Sequence, residues 1–116
     1  MKKAQVYAIQ KYARISPKKV AVLMDLVRGK DAVEAARILK FDTTKAAKMV
    51  SKVLKSAVAN ARNSFNMDET KMYVAELRVD MGTSFKRGQI VARSRFNPYL
   101  KRTSHIILGL SERNKQ

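Results

Sequence analysis

From Gly82 to Ser111 the chain contains no aspartate or glutamate, and the middle of that stretch, "KRGQIVARSRFNPYLKR", is dense in arginine and lysine. Its "QIVARSRF" has the β-branched and aromatic character of a strand. Arms of equal length, about 76–91 and 96–111, would fold back near Arg93–Ser94–Arg95. At about 3.3 Å per residue such arms could reach roughly 50 Å, well past the diameter of a domain this small. An isolated two-stranded ribbon is marginally stable in water, and the far half of this one has few large apolar residues to bury. The chain must therefore form a body with a projection, and something outside the chain must hold the projection.

The overall charge points the same way. Twenty-five Lys and Arg stand against nine Asp and Glu, a net charge of +16 with an isoelectric point near 10.5. Such an excess repels itself in a compact state and calls for a polyanionic partner: nucleic acid first, an acidic membrane surface second. Apolar residues make up 46% of the chain, which excludes compositional disorder. A chain of 116 residues supports one domain with one modest core. No apolar run approaches the roughly 20 residues of a membrane span; "HIILGL" is far too short. Cysteine is absent, so there is no disulfide framework, thiolate metal site or cysteine nucleophile, which fits a reducing cytosol. Gln5, Gln10 and Lys11 interrupt any signal-peptide core, and the Tyr-containing, strand-like start is unlike a transit peptide. The first residues are expected inside the fold.

Along the chain, Val6, Tyr7, Ile9 and Tyr12 mark a short strand within residues 4–13. In "SPKKVAVLMDLVRGK", Ser16 suits an N-cap, Pro17 the first helical position and Gly29 the left-handed residue past the end. Val20, Leu23, Met24 and Val27 give that helix one apolar face. "DAVEAARILK" opens with Asp31 three residues before Glu34, a capping-box-like start, and predicts a shorter helix with Val33, Ala36 or Ala35, and Leu39 inward. A long helix follows Thr43 or Thr44, its apolar stripe running Ala46, Met49, Val50, Val53, Leu54, Ala57, Ala61. From residue 71 the period becomes two: Tyr73, Ala75, Leu77 and Val79 against Val74, Glu76, Arg78 and Asp80. "TSHIILGL" is another strand. The reading is α+β, three helices on a small antiparallel sheet, two of whose strands run on past the core.

The candidate chemistry is cationic. The ribbon holds Lys86, Arg87, Arg93, Arg95, Lys101 and Arg102, interleaved with Phe85, Phe96 and Tyr99. Guanidinium forks and ammonium groups match phosphate oxygens, and aromatic rings can stack on bases. Protecting a strand edge from aggregation needs one or two lysines, not an acid-free arginine run. Lys18, Lys19, Arg28 and Lys30 bracket the first helix, and the first two sit where the helix dipole disfavours cations, as they would beside a phosphate. Lys45, Lys48, Lys52, Lys55 and Arg62 line the long helix; that stripe reads equally as a solvated face. His105 is the single histidine and has no metal-ligand companions. Ser104 and His105 are adjacent on a strand and so point to opposite faces, which argues against nucleophilic catalysis. Glu76, Arg78 and Asp80 read as ion-pair partners. No enzyme and no cofactor is indicated.

The run "SPKKVAVLMDLVRGK", the segment "KVLKSAVANA" and the closing "KRTSHI", in this order and spacing, resemble the bacterial large-subunit ribosomal protein L-twenty-two family from about Tyr12 to Leu110. The resemblance implies a three-helix, three-stranded body on the surface of the large subunit and an extended hairpin lining the polypeptide exit tunnel. It implies binding to large-subunit (23S-type) ribosomal RNA, a part in assembly, and contacts with neighbouring ribosomal proteins and the nascent polypeptide. A cytoplasmic location is implied; neither membrane nor homo-oligomer is. The body would comprise about 1–82 and 103–116 of a single domain 1–116, and the hairpin about 83–102. Of the RNA-binding set, the resemblance implies Lys18, Lys19, Arg28, Lys86, Arg87, Lys101, Arg102, Ser104 and His105, and the cationic pattern adds Lys11, Arg14, Lys30, Arg93 and Arg95. The tunnel-lining set is Phe85, Lys86, Arg87, Ile90, Val91, Ala92, Arg93, Ser94 and Arg95. Ser56, Ala57 and Asn60 match positions of helix packing.

The departures lie at the hairpin tip. Where the family reads Pro-Arg-Ala-x-Gly-Arg, this chain has "IVARSR", with Ile90 and Val91 for Pro-Arg and Ser94 for Gly. The turn must form without glycine, and Pro98, unable to donate to a ladder, implies a bulge or unpaired stretch. A free-standing DNA-compacting or RNA-chaperone module would share the charge but not the ordered motifs. A small hydrolase would need a clustered nucleophile and base.

Overall fold

The computed structural model describes residues 4–83, 85–91 and 95–112, the two hairpin strands by their backbone. Strand β1 is Val6–Ala13, followed by helices α1 (Pro17–Val27), α2 (Ala32–Phe41) and α3 (Lys45–Phe65). After a short 3₁₀ turn come β2 (Met72–Met81), β3 (Phe85–Val91), β4 (Arg95–Lys101) and β5 (Ser104–Glu112). The sheet of the body runs β1-β5-β2, antiparallel throughout, and β3-β4 form a separate two-stranded sheet. The α+β reading holds.

Helix α1 starts where the sequence places it. Ser16 is its N-cap in extended conformation with Pro17 first in the helix, and Gly29 lies just past the end at φ 83°. The left-handed turn at Gly29 has a second use. Its N–H donates to Val74 O at 3.0 Å, Val74 N–H donates to Lys30 O at 2.9 Å, and Asp31 bridges to Tyr73. Residues 29–31 thus cover the outer edge of β2 with backbone partners, which blocks pairing with another chain. Neither Ser16 nor Asp31 uses its side chain as a cap, so the capping-box expectation at Asp31 and Glu34 fails. Thr44 does cap α3, accepting from Ala47 N–H at 3.2 Å, and Asn66 ends it in the left-handed conformation.

The core lies between one face of the sheet and the helices. Central β5 contributes Ile106, Leu108 and Leu110, β2 contributes Met72, Val74 and Leu77, and α3 contributes Val50, Leu54, Ala57 and Ala61, all buried. Helix α3 lies across β1 and β5, α1 lies against β2, and α2 against α3. Burying a side chain the size of Leu54 or Leu108 is worth about 1.5–3 kcal/mol. In α2 the inward face is Ala32, Ala35 and Leu39, while Val33 is exposed. The helix is rotated by about one residue from the expected face, with small Ala32 and Ala35 buried beside Leu39.

Two irregularities were not anticipated. In β2 the pairing with β5 shifts between Val74 and Glu76, so Ala75 is an extra residue and the alternation reverses across it. Val74 and Leu77 are therefore both buried, and Tyr73 does not share the inner face with Leu77. The arms also do not continue as one ladder. Met81 pairs with Ser104 and Phe85 with Lys101, so three residues face two and the register slips at the neck. The neck is fastened by Gly82 N–H donating to Thr103 O at 2.9 Å and by Thr103 Oγ1 donating to Thr83 O at 2.6 Å.

Beyond the neck, β3 and β4 pair without interruption from Phe85↔Lys101 to Val91↔Arg95. Pro98 pairs with Gly88 with no shift, so the expected bulge is absent; in a two-stranded sheet both strands are edges, where proline is tolerated. Arg95 is the first residue of β4. The radius of gyration is 17.2 Å and the principal extents are 69 × 29 × 22 Å. A compact chain of this length would have a radius near 13 Å, so the hairpin projects as a finger.

Candidate nucleic-acid interface

Four of the nine carboxylates form ion pairs within the body. Asp25 pairs with Arg28 at 3.1 Å, Glu69 with Arg62 at 3.5 Å, and Glu76 and Asp80 flank Arg78 at 3.4 and 3.1 Å. Tyr7 donates its hydroxyl to Glu76 at 2.7 Å. Such half-exposed pairs are each worth about 0–1 kcal/mol; their consequence is what they leave over. Among the described residues Lys11, Arg14, Lys18, Lys19, Lys30 and Arg102 are exposed and in no ion pair.

The topology gathers most of these at one end. Ala13 of β1 pairs with Ser104 of β5 beside the neck. Ser104 Oγ donates to Ile15 O at 2.6 Å, and α1 begins two residues later. Lys45, at the start of α3, donates to Arg14 O at 2.8 Å. Lys11, Arg14, Lys18, Lys19 and Arg102 therefore ring the base of the finger. Lys18 and Lys19 occupy the first turn of a helix with no acid there, where an anion is favoured and a cation is not. Lys45 belongs to this collar and was read from sequence only as part of the α3 stripe; nothing in its spacing reveals its contact with Arg14.

Three predicted positions are used by the fold. Arg28 spreads its guanidinium over Leu77 O, with Nε at 3.2 Å and Nη2 at 2.7 Å, and so ties α1 to β2 near its far end. With Lys30 it stands at the opposite end of α1 from the collar. Ser104 is fully buried, its hydroxyl spent on Ile15, so it cannot present that group at the surface. His105 accepts from Tyr12 N–H through Nδ1 at 3.1 Å, with the two rings edge-to-face at 4.8 Å. That contact holds Tyr12 at φ 58°, in the irregularity of β1 between Gln10 and Ala13.

On the finger, the ladder sets Phe85 opposite Lys101, Arg87 opposite Tyr99 and Val91 opposite Arg95. Arg87, Arg95 and Lys101 fall on one parity of the ladder, Lys86 and Ile90 on the other. Ala92, Arg93 and Ser94 lie outside the described residues. No carboxylate occurs on either finger strand, so the finger's own chain offers its cations no counter-charge. Among the described residues there is no His, Asp and Glu cluster able to hold a metal ion, and no helix is long and apolar enough to cross a membrane.

The family described as "Ribosomal protein L22p/L17e" matches residues 8–111. The chain is 52% identical over 106 residues to "Large ribosomal subunit protein uL22" of Clostridium novyi (strain NT), covering 91% of this chain and 96% of that protein. Its counterpart in Clostridium tetani (strain Massachusetts / E88) is 50% identical with the same coverage. That of Carboxydothermus hydrogenoformans is 44% identical over 108 residues, 93% of this chain and 96% of that protein. A basic body with a carboxylate-free finger, matched over nearly its whole length, thus belongs to the ribosomal protein L22p/L17e family of the large ribosomal subunit, a structural family and not one of enzymes.

Proposed function

We propose that the protein binds large-subunit ribosomal RNA through the collar and the finger, supports assembly of the subunit, and lines the polypeptide exit tunnel with the finger. The observation that carries this is the separation of charge: all the acids lie in the body, four of them in ion pairs, while no acid occurs from Gly82 to Ser111, the stretch that holds the finger. Phosphates then take the place of carboxylates, and counterion release drives association. Recognition is by RNA shape and backbone, since A-form grooves hide the base edges. Neighbouring ribosomal proteins and the nascent chain are the remaining partners, with no homo-oligomer, and the location is the cytoplasmic ribosome. Identity with the clostridial large-subunit proteins supports this placement.

The direct test is sedimentation. The tagged protein should co-migrate with the large subunit through a high-salt wash; release into the soluble fraction would favour a free-standing nucleic-acid-binding module. For the tunnel, deletion of Phe85–Arg87 should alter stalling by some nascent chains or macrolide susceptibility. Unchanged behaviour in both would remove the tunnel assignment and leave RNA binding standing.

A further inference from the structure

Tyr12 stands in a conformation that its side chain disfavours. Among the described residues only Tyr12, Gly29 and Asn66 have a positive φ. Gly29 follows α1 and Asn66 ends α3, where left-handed residues are expected. Tyr12, at φ 58°, lies instead in the irregularity of β1 between Gln10 and Ala13, a place where a left-handed residue is ordinarily glycine. A bulky aromatic residue there is strained and persists only where its surroundings hold it. One side chain does so: His105 Nδ1 accepts from the Tyr12 N–H at 3.1 Å, and the two rings meet edge-to-face with centroids 4.8 Å apart.

An imidazole accepts at Nδ1 only while that nitrogen carries no proton. The ring proton therefore sits on Nε2, and a second proton would take the lone pair that Tyr12 uses. The charged ring has two donors and no acceptor. Charged groups reach its surroundings from both neighbouring strands and from the neck. Asp80 is its direct partner across β2 and β5, and Arg78 of the same strand holds Asp80 at 3.1 Å. Lys11 precedes Tyr12 in β1, and Arg102 lies shortly before His105 at the neck. Gly82 leaves room for the ring, since a Cβ there would stand 3.3 Å from it. Of these groups only Asp80 can accept from a charged imidazole, and direct cross-strand partners share a face of the sheet.

We propose that His105 is a proton-operated latch at the base of the finger. Uncharged, it fixes Tyr12 in the left-handed conformation and so sets the course of the chain at Lys11, one of the collar's cations. When Nδ1 takes one proton from solvent, the ring drops the Tyr12 N–H and turns to Asp80, and Tyr12 relaxes to an extended conformation. Gln10 stays paired with Ile106 and Ala13 with Ser104, so the change is confined to the bulge between them. The latch needs no RNA, and its test uses the free full-length chain.

His105 is the single histidine, so the imidazole signals in an NMR titration belong to one residue. From pH 8 to pH 5, the range in which imidazoles charge, the Tyr12 amide shift and its HN–Hα coupling should follow the ring signals with one midpoint. Protection of the Tyr12 amide, corrected for intrinsic exchange, should fall about tenfold, the worth of one hydrogen bond, while amides of Val50, Leu54 and Ala57 keep theirs. His105→Phe keeps a ring and removes the acceptor; it should show the released Tyr12 signals already at pH 8, with no transition. Adding Tyr12→Gly, which takes the left-handed conformation without strain, should recover melting temperature lost in His105→Phe. A ring that titrates while the Tyr12 amide is unmoved, or gains protection, overturns the latch. Joint loss of protection at Tyr12 and in α3 means acid unfolding of the whole body and overturns it too. Should His105→Phe not fold, the titration of the parent decides alone.

Discussion

Ser104 separates what holds the fold from what meets RNA. The resemblance to ribosomal relatives places it in an RNA-facing motif, yet its side chain is fully buried and donates to Ile15 O at 2.6 Å. Ser104→Ala removes the donor and leaves a buried carbonyl without that partner, a loss of about 1–3 kcal/mol. For a domain of this size each kcal/mol moves the melting temperature by about 4 °C, so the variant should melt about 4–12 °C below the parent. Nearby Arg102 is exposed and in no ion pair among the described residues, so Arg102→Gln should leave stability within about 0.5 kcal/mol. The same change should lower the salt slope of RNA binding by about one unit. Thermal unfolding by circular dichroism and salt titration of RNA binding, run on both variants, give a crossed pattern. Parent-like melting of Ser104→Ala together with weakened RNA binding would refute the reasoning, because the hydroxyl would then be acting outside the fold.

At the neck, a Cβ on Gly82 would collide with Thr103 Oγ1 and stand 3.3 Å from the His105 ring. Gly82→Ala should lower the melting temperature, and adding Thr103→Ala should recover part of the loss; no recovery would place the strain elsewhere. Leu54→Ala, in the centre of α3 and fully buried, should cost about 2–5 kcal/mol in urea unfolding. Asp42 accepts from the backbone N–H and hydroxyl of Thr44, and these hold its carboxyl below the ordinary 3.8. A depressed folded value means its stabilisation is present above pH 3.8 and is lost as the pH falls through that lower value. The stability difference between the parent and Asp42→Asn should therefore shrink in that acid window and stay constant above it. Hydrogen exchange across residues 84–102 should be fast in the free protein and slow in the assembled subunit; strong protection in the free protein would mean that the finger needs no partner.

Elements whose signals are local were legible in the sequence. Pro17 and Gly29 bound α1, Thr44 caps α3, and the Val50–Leu54–Ala57–Ala61 stripe marks the core face. What depends on pairing was not. The extra residue at Ala75 reverses the sidedness of β2 without any glycine or proline to announce it, so the strict alternation that groups Tyr73 with Leu77 does not hold across it. The slip at Gly82–Thr103 appears only when two ladders of different register meet. Val33 reads inward by hydropathy, but the residues buried beside Leu39 are Ala32 and Ala35. At the candidate interface, the loose cations were readable because nearby acids are absent, which is a sequence property. Arg28, Ser104 and His105 carry the right chemistry for RNA, and only the positions of Leu77 O, Ile15 O and Tyr12 N–H show that the fold employs them.

The central claim is that RNA supplies the counter-charge that the finger lacks. A density map of the assembled large subunit measures it directly. Phosphate oxygens should lie within about 2.7–3.0 Å of nitrogens at Arg87, Arg95 and Lys101. A finger standing free in solvent, or one whose cations meet acidic side chains of a neighbouring protein, would contradict the account.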